Sequence, residues 1–306
     1  MPAAFPLALS CPVVLAPMSG ITDLPFRRTV ARFGAGMLVS EMVAAGELVT
    51  TRPSRRAASR ARLLRGEIPT AVQLAGCNPQ ALAQAARIAE AEGAPLIDLN
   101  FGCPAKKVTG GLAGSALMRD EDQALRLIEA VVAAVGVPVS VKMRLGWDDA
   151  TRNAARIAAL AEGAGVRQIT VHGRTRMQFY TGRADWAAVA EVVAATRLPV
   201  IVNGDIDSSA SARAALAASG AAAVMVGRGA LGRPWLLRDI AAGLAGRALL
   251  PPPADLAGLA AAHYDEILGF YGRELGLRVA RKHLGWYADA AGSPPELRAA
   301  LMREGD

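Results

Sequence analysis

Short β-branched runs alternate with longer alanine-rich stretches along most of this 306-residue chain, and no other feature restricts its fold as much. Strands separated by helices pair in parallel, because a parallel connection has to cross from one end of the sheet to the other. Strand candidates are residues 13–16, 37–40, 70–74, 96–100, 139–143, 168–172, 200–203 and 223–226, each apolar enough to be covered on both faces. Helix starts are recognisable between them. Asn78-Pro79 offers a cap followed by proline in the first turn, and Ser208-Ser209 precedes an alanine-rich stretch. Eight such units over roughly 230 residues fit a closed (β/α)8 TIM barrel better than an open doubly wound sheet. After Ala242 the strand signal ends, Pro251-Pro252-Pro253 breaks the chain, and residues 255–303 read as helical. The expected division is an α/β barrel domain over residues 1–245 and a small all-α domain over 246–306.

A net charge of +7 mildly favours a polyanionic partner over an acidic small molecule. Cys11, Cys77 and Cys103 are odd in number and widely spaced, which fits neither a disulfide framework nor a paired-cysteine metal site. The N-terminus lacks a basic leader, and no apolar run reaches the ~18 residues that span a bilayer. A soluble, cytoplasmic protein without a metal is expected, a monomer with no obligate protein partner.

In a barrel the chemistry collects at the C-terminal ends of the strands. Those ends present Pro17 and Met18, Glu41, Gln73, Asn100 with Cys103, Lys142 and Arg144, His172 and Arg174, Asn203-Gly204-Asp205, and Gly227-Arg228. Lys142 interrupts an apolar strand, where an unpaired ammonium is costly to bury. Either it pairs with a structural carboxylate such as Asp98 or Glu41, or it faces an anionic ligand such as the N1 and C2 carbonyl region of a reduced flavin. His172 can add a second donor. The stretch Gly227 to Gly232 matches GxGxxG, but it lies in the last unit and no acidic ribose ligand follows it, so a dinucleotide fold is rejected. Loops after the seventh and eighth barrel strands often cradle a phosphate, and Asn203-Gly204-Asp205 with Gly227-Arg228 suit that of FMN. Cys11 and Cys77 read as small buried hydrophobes. Cys103, between Gly102 and Pro104 at the functional rim and close to Lys106 and Lys107, reads as reactive.

Several segments together resemble the bacterial tRNA-dihydrouridine synthases, most closely the B-type subgroup. They are Leu15 to Asp23, Val39 to Met42, Asp98 to Leu117 with its Asn100-Phe101-Gly102-Cys103-Pro104 loop, Val171 to Arg176, and Arg281 to Tyr287. The resemblance implies an FMN-containing barrel followed by a helical tRNA-binding domain, with NADPH or NADH as reductant. It assigns flavin contacts to Pro17, Met18, Ser19, Gln73, Lys142, His172, Asn203, Gly204, Asp205, Gly227 and Arg228, and the proton donor to Cys103. Asn100 and Arg174 would meet the target base, with Lys106 and Arg176 among the basic groups near the RNA. Ser19 stands where alanine is usual in this family.

Uracil's electronics give the expected reaction. Its C5=C6 bond is conjugated to the C4 carbonyl, so hydride from flavin N5 enters at C6 and the resulting enolate is quenched by a proton at C5. A thiol on the far side of the base is a competent general acid. A stacked uridine must be extruded to be reached. Arg52, Arg55, Arg56, Arg60, Arg62 and Arg65 can track phosphates or form a solvated face. His263, Tyr264, Phe270, Tyr271, Trp286 and Tyr287, with Arg278, Arg281, Lys282 and Arg298, can bind RNA by stacking and charge or simply form a core and its surface. Competing functions are an FMN barrel acting on a free pyrimidine or small enone, which the helical tail disfavours, and a non-catalytic RNA-binding scaffold, which intact Cys103 and Lys142 disfavour.

Overall fold

The apolar runs become strands β1 (Val13–Leu15), β2 (Met37–Val39), β3 (Val43–Ala44), β4 (Thr70–Ala75), β5 (Ile97–Phe101), β6 (Val139–Arg144), β7 (Gln168–His172), β8 (Val200–Asn203) and β9 (Ala223–Val226). They are seen in a computed structural model that describes residues 4–50, 59–64 and 66–304. Every pairing is parallel, β1 joins β9 and β2 joins β4, so all strands but β3 close into an eight-stranded barrel. The short β3 continues the line of β2 after a bulge. Val39 pairs with Ala71 and Val43 with Leu74, so Ser40, Glu41 and Met42 stand opposite only Val72 and Gln73. The Ser40 hydroxyl accepts the Gln73 N–H at 3.0 Å across the interrupted ladder.

Around the barrel lie α1 (Leu24–Ala31), α2 (Ala45–Leu48), α3 (Pro79–Ala91), α4 (Lys106–Thr109), α5 (Glu121–Val132), α6 (Ala154–Gly163), α7 (Val189–Ala195), α8 (Ser209–Ser219) and α9 (Leu236–Leu244). Short 3-10 turns occupy Gly114–Arg119 and Arg228–Ala230. Asn78 caps α3 through the Ala81 N–H at 2.9 Å, and Ser208 with Ser211 forms a reciprocal capping box on α8. Alternation along the strands sorts the core into two parts. Residues such as Ile97, Leu99, Val141 and Val171 pack outward against the helices. Val14, Ala16, Met37, Val39, Ala71, Ile201, Ala223 and Met225 form a separate apolar cluster from alternate positions of β1, β2, β4, β8 and β9. The matching positions of β5 to β7 carry polar Asp98, Asn100, Ser140, Lys142, Gln168, Thr170 and His172.

A helical extension follows, made of α10 (Leu256–Tyr271), α11 (Arg273–Ala290) and α12 (Pro295–Arg303). It docks on α1, where the buried Phe26 ring lies 5.8 Å from His263 and 5.4 Å from His283. Gly232, at φ +69°, allows close approach, since a Cβ there would stand 2.1 Å from the Trp286 carbonyl oxygen. Of the aromatic residues singled out in this region, His263 and Tyr287 are buried, and the ring of Trp286 packs edge-on to His283 at 5.1 Å. Arg298 pairs with Asp289 at 2.7 Å, and Arg281 donates to the Glu304 carbonyl at 3.0 Å, while Arg278 is exposed. Arg52, Arg55, Arg56 and Arg65 lie outside the described residues. Arg60 stands 3.6 Å from Glu41, and the Arg62 guanidinium lies 5.7 Å from the Phe270 ring centroid. No helix among the described residues is long and apolar enough to cross a membrane.

Candidate active site

Register places the functional side chains side by side. Asn100 pairs with Lys142, Lys142 with Thr170, Arg144 with His172, and His172 with Asn203. Lys142 donates to the Asn203 side-chain oxygen at 3.2 Å. The carboxylates that might have neutralised it are committed elsewhere. Asp98 accepts from Ser140 at 2.6 Å and Gln73 at 2.7 Å, and Glu41 accepts the Gly20 N–H and faces Arg60. Burial, with the Arg144 charge adding to it, lowers Lys142 to about 8. Burial likewise raises Asp98 to about 6 against its hydrogen bonds.

A chain of amides leads from this buried layer to the thiol. Gln73 donates to Asp98 and accepts from Asn100 Nδ2 at 2.7 Å, and the Asn100 carbonyl oxygen accepts the N–H groups of Cys103 at 2.9 Å and Gly102 at 3.2 Å. The Cys103 carbonyl in turn accepts from the Ser115 hydroxyl at 2.9 Å and its N–H at 3.1 Å. Asn100, expected to meet substrate, therefore also fixes the loop that carries Cys103, and its second amide N–H has no hydrogen-bond partner among the described residues.

Two buried arginines frame the site. Arg144 donates to the carbonyls of Gly102 at 2.9 Å, Thr175 at 2.9 Å and Phe179 at 2.8 Å, so it ties the cysteine loop to the loop after β7. Arg174 directs all five N–H groups into the protein, toward Thr181, Gly182, the His172 ring and both oxygens of Asp205. It was expected at the target base, and contact there would require it to give up one of those bonds. Because arginine only donates, His172 Nε2 at 3.2 Å is the acceptor and the neutral ring carries its hydrogen on Nδ1. Burial first, then the charges of Lys142, Arg144, Arg174 and Arg228, hold His172 well below its usual range. Arg176 is sandwiched 4.7 Å from Trp147 and 4.5 Å from Phe179, and Lys106 is exposed on α4.

Tyr180 escaped notice in the sequence. Its ring lies 4.8 Å from the Arg228 guanidinium, 5.5 Å from that of Arg144 and 6.4 Å from His172. A tyrosine in a polar loop carries no local signal, whereas Arg144, two residues beyond Lys142, shares its strand face by simple alternation. Cys77 was expected to be buried and is exposed, since it sits at the turn just before the α3 cap.

The residues fit FMN. Lys142 spends one of three N–H groups on Asn203, and His172 Nδ1 and one Gln73 amide hydrogen are further donors for a ring with carbonyl and imine acceptors. Pro17 and Met18 are half-buried at the end of β1, Ser19 is exposed beside them, and the Met18 sulfur stands 3.6 Å from where a Gly227 Cβ would be. Gly204, at φ +118°, packs so tightly on His172 that a Cβ would fall 2.8 Å from the ring. Burial opposes ionisation of Asp205, but hydrogen bonds from Arg174 and the Ala184 N–H keep its carboxyl below the usual range. That acid is thus spent on Arg174, and Arg228 at 3.6 Å supplies the cation of the turn.

Fold and rim together define a (β/α)8 barrel whose polar and charged side chains collect at the carboxyl ends of its strands, where enzymes of this fold place their active sites. The family model described as dihydrouridine synthase (Dus) matches residues 14–304, and the chain belongs to that family of flavin-dependent oxidoreductases. It is 63% identical over 302 residues to a probable tRNA-dihydrouridine synthase of Rhodobacter capsulatus, covering 98% of this chain and 92% of the relative. It is 48% identical over 302 residues to tRNA-dihydrouridine synthase B of Xanthomonas campestris pv. campestris, covering 97% and 90%. Among solved structures, histamine dehydrogenase from Rhizobium sp. 4-9 shares the fold at a TM-score of 0.58 and 14% identity, covering 80% of this chain and 47% of that one.

Proposed function

We propose that this chain is a tRNA-dihydrouridine synthase that reduces the C5=C6 bond of D-loop uridines, with bound FMN and NADPH or NADH as reductant. When bound, FMN supplies the hydride that enters at C6. Lys142 holds the electron-rich edge of the ring, and neutral His172 adds a hydrogen bond without a second cation. Pro17, Met18, Ser19 and Gln73 line the ring, and the turns of Asn203, Gly204 and Asp205 and of Gly227 and Arg228 form the phosphate site, with the cation supplied by Arg228 and the Asp205 carboxylate engaged by Arg174. Arg174 positions Asp205 and His172. Asn100 orients the Cys103 loop and presents its free amide hydrogen to the base, and the Cys103 thiol gives its proton to C5. Lys106 and Arg176 meet the RNA, and residues 246–306 form the tRNA-binding domain of a cytoplasmic monomer.

The observation that carries this reading is Lys142, a largely enclosed cation that forms no ion pair with a carboxylate among the described residues, in register beside the asparagine that holds the cysteine loop. The test is to purify the protein, record its flavin spectrum, and incubate it with reductant and tRNA lacking dihydrouridine. Wild type is expected to retain FMN and form dihydrouridine in the D-loop. Cys103→Ser should accept electrons from the nicotinamide normally yet lose at least about a hundredfold in dihydrouridine formation, the usual effect of a general acid. Colourless protein without FMN affinity, or normal turnover by Cys103→Ser, would overturn the assignment.

A further inference from the structure

Residues Cys103 to Ser115 form a loop closed at its base, where the Ser115 N–H and hydroxyl both donate to the Cys103 carbonyl. Its outer end is α4 and the turn after it, in which Leu112 N–H bonds the Thr109 carbonyl at 3.1 Å and Ala113 N–H the Val108 carbonyl at 3.3 Å. Leu112 occupies the left-handed position of that turn at φ +56° and is 70% exposed. The first carries a conformational cost, and the second returns little burial to offset it. A left-handed leucine is strained where glycine is not, and Gly110 and Gly111 stand next to it in sequence. Its side chain meanwhile buries little. A strained residue that returns nothing to the fold points to work done on a partner.

The neighbourhood indicates which partner. Gly114 lies against the cysteine, since a Cβ on it would fall 3.2 Å from Cys103 Cβ, and two residues of chain place Leu112 within about 7 Å of Gly114. Exposed Lys106 and Lys107 occupy the same outer end, so an apolar tip is flanked by phosphate-seeking cations. Proteins that open a base stack insert apolar side chains of this kind, and an enzyme working on a stacked base has to extrude it.

We propose that Leu112 is the wedge that enters the D-loop stack of tRNA and fills the place left by the uridine delivered to Cys103. The proposal rests on the function argued above. The test compares wild-type holoenzyme with Leu112→Ala, Leu112→Gly and Leu112→Met on two substrates, folded tRNA and an unstructured oligoribonucleotide containing uridine. On folded tRNA, Leu112→Ala and Leu112→Gly should fall by about tenfold or more, the equivalent of ~1.4 kcal/mol. Leu112→Met should restore most of that rate. On the oligonucleotide all four proteins should agree within about twofold, and the flavin should accept electrons equally fast, because no stack has to be opened. Leu112→Gly should melt no lower than wild type, which a structural role for the leucine would not allow. A folded-tRNA rate for Leu112→Ala within twofold of wild type overturns the wedge. So does an equal fall on both substrates, which would place the leucine in support of Cys103 instead. Wild-type protein that reduces no uridine in either RNA would overturn the underlying function as well, and so is distinct from these outcomes.

Discussion

Arg174 is 1% exposed and spends five N–H groups on two carbonyls, a ring nitrogen and a carboxylate, so its contribution is read from what its loss would leave behind. Arg174 is buried but the Asp205 side chain keeps 29% of its exposure, so water can reach the carboxylate and the loss of the guanidinium costs less than the ~3–5 kcal/mol of a fully buried pair. Arg174→Met leaves Asp205 and the carbonyls of Thr181 and Gly182, all on exposed residues, to partial hydration, and a loss of about 1–3 kcal/mol is expected in urea unfolding of the protein. Arg174→Lys keeps the charge but not the planar fork, and should recover only part of it. A loss under about 0.5 kcal/mol for the methionine variant would mean that water replaces the guanidinium without penalty. The sequence marked this arginine as functional. It could not show that the side chain turns inward, because Asp205 approaches it only once β7 and β8 are adjacent.

At the scale of elements, α10 and α11 meet α1 through two neutral imidazoles. The His263 and His283 rings are 4.8 Å apart, His263 Nδ1 bonds the Tyr287 hydroxyl at 3.1 Å, and Nε2 of both rings has no hydrogen-bond partner among the described residues. Burial, with the Arg32 charge next, lowers His263 to about 3, and burial with His263 and Lys282 nearby puts His283 well below its usual range. Both folded-state values lie below the unfolded one, so the unfolded chain binds more protons at acid pH. Their stabilisation is full above pH ~6.5 and is lost progressively as pH falls toward the folded values. Between pH 6.5 and 5 His263 should remove roughly 1.5–2 kcal/mol from the stability of this packing, and His283 acts in the same direction. Hydrogen exchange in α10 and α11 should quicken accordingly, and His263→Phe should flatten the dependence. Exchange rates in these helices that show no such acid sensitivity, after correction for intrinsic exchange, would contradict it.

For the whole molecule, the extension reaches the rim of the barrel. Lys282 donates to the Gly20 carbonyl while Glu41 accepts the Gly20 N–H, so the two peptides flanking Gly20 in the β1 loop are each held, two residues beyond Met18. Burial lowers the Lys282 pKa although Asp23 and Glu41 favour its charge. A charge-assisted hydrogen bond is worth about 1.5–3 kcal/mol, so a fragment ending at residue 245 should bind FMN at least about tenfold more weakly as well as melting lower. The ratio of FMN to protein after gel filtration measures this, with Lys282→Met in the full chain as the milder test. A fragment that keeps its flavin as tightly as the whole chain would show the two parts to be independent.

The alternation of apolar runs and capped helices specified the barrel by itself, because strand and helix periods are local properties and eight parallel units have few ways to bury both faces. It also placed Lys142, Cys103 and the glycine turns at one rim, since polar residues at the ends of apolar strands are visible without contacts. Only tertiary structure decided what required distant segments to meet. The bulge that carries Glu41 follows from a two-against-three mismatch between β2 and β4, and the inward turn of Arg174 follows from the position of Asp205. The exposure of Cys77 and the packing role of His263 and Tyr287 were likewise undetermined by local sequence. A thiol or an aromatic ring takes the same letter whether it faces solvent, a ligand or another helix, and burial is settled by which surfaces the closed barrel brings together.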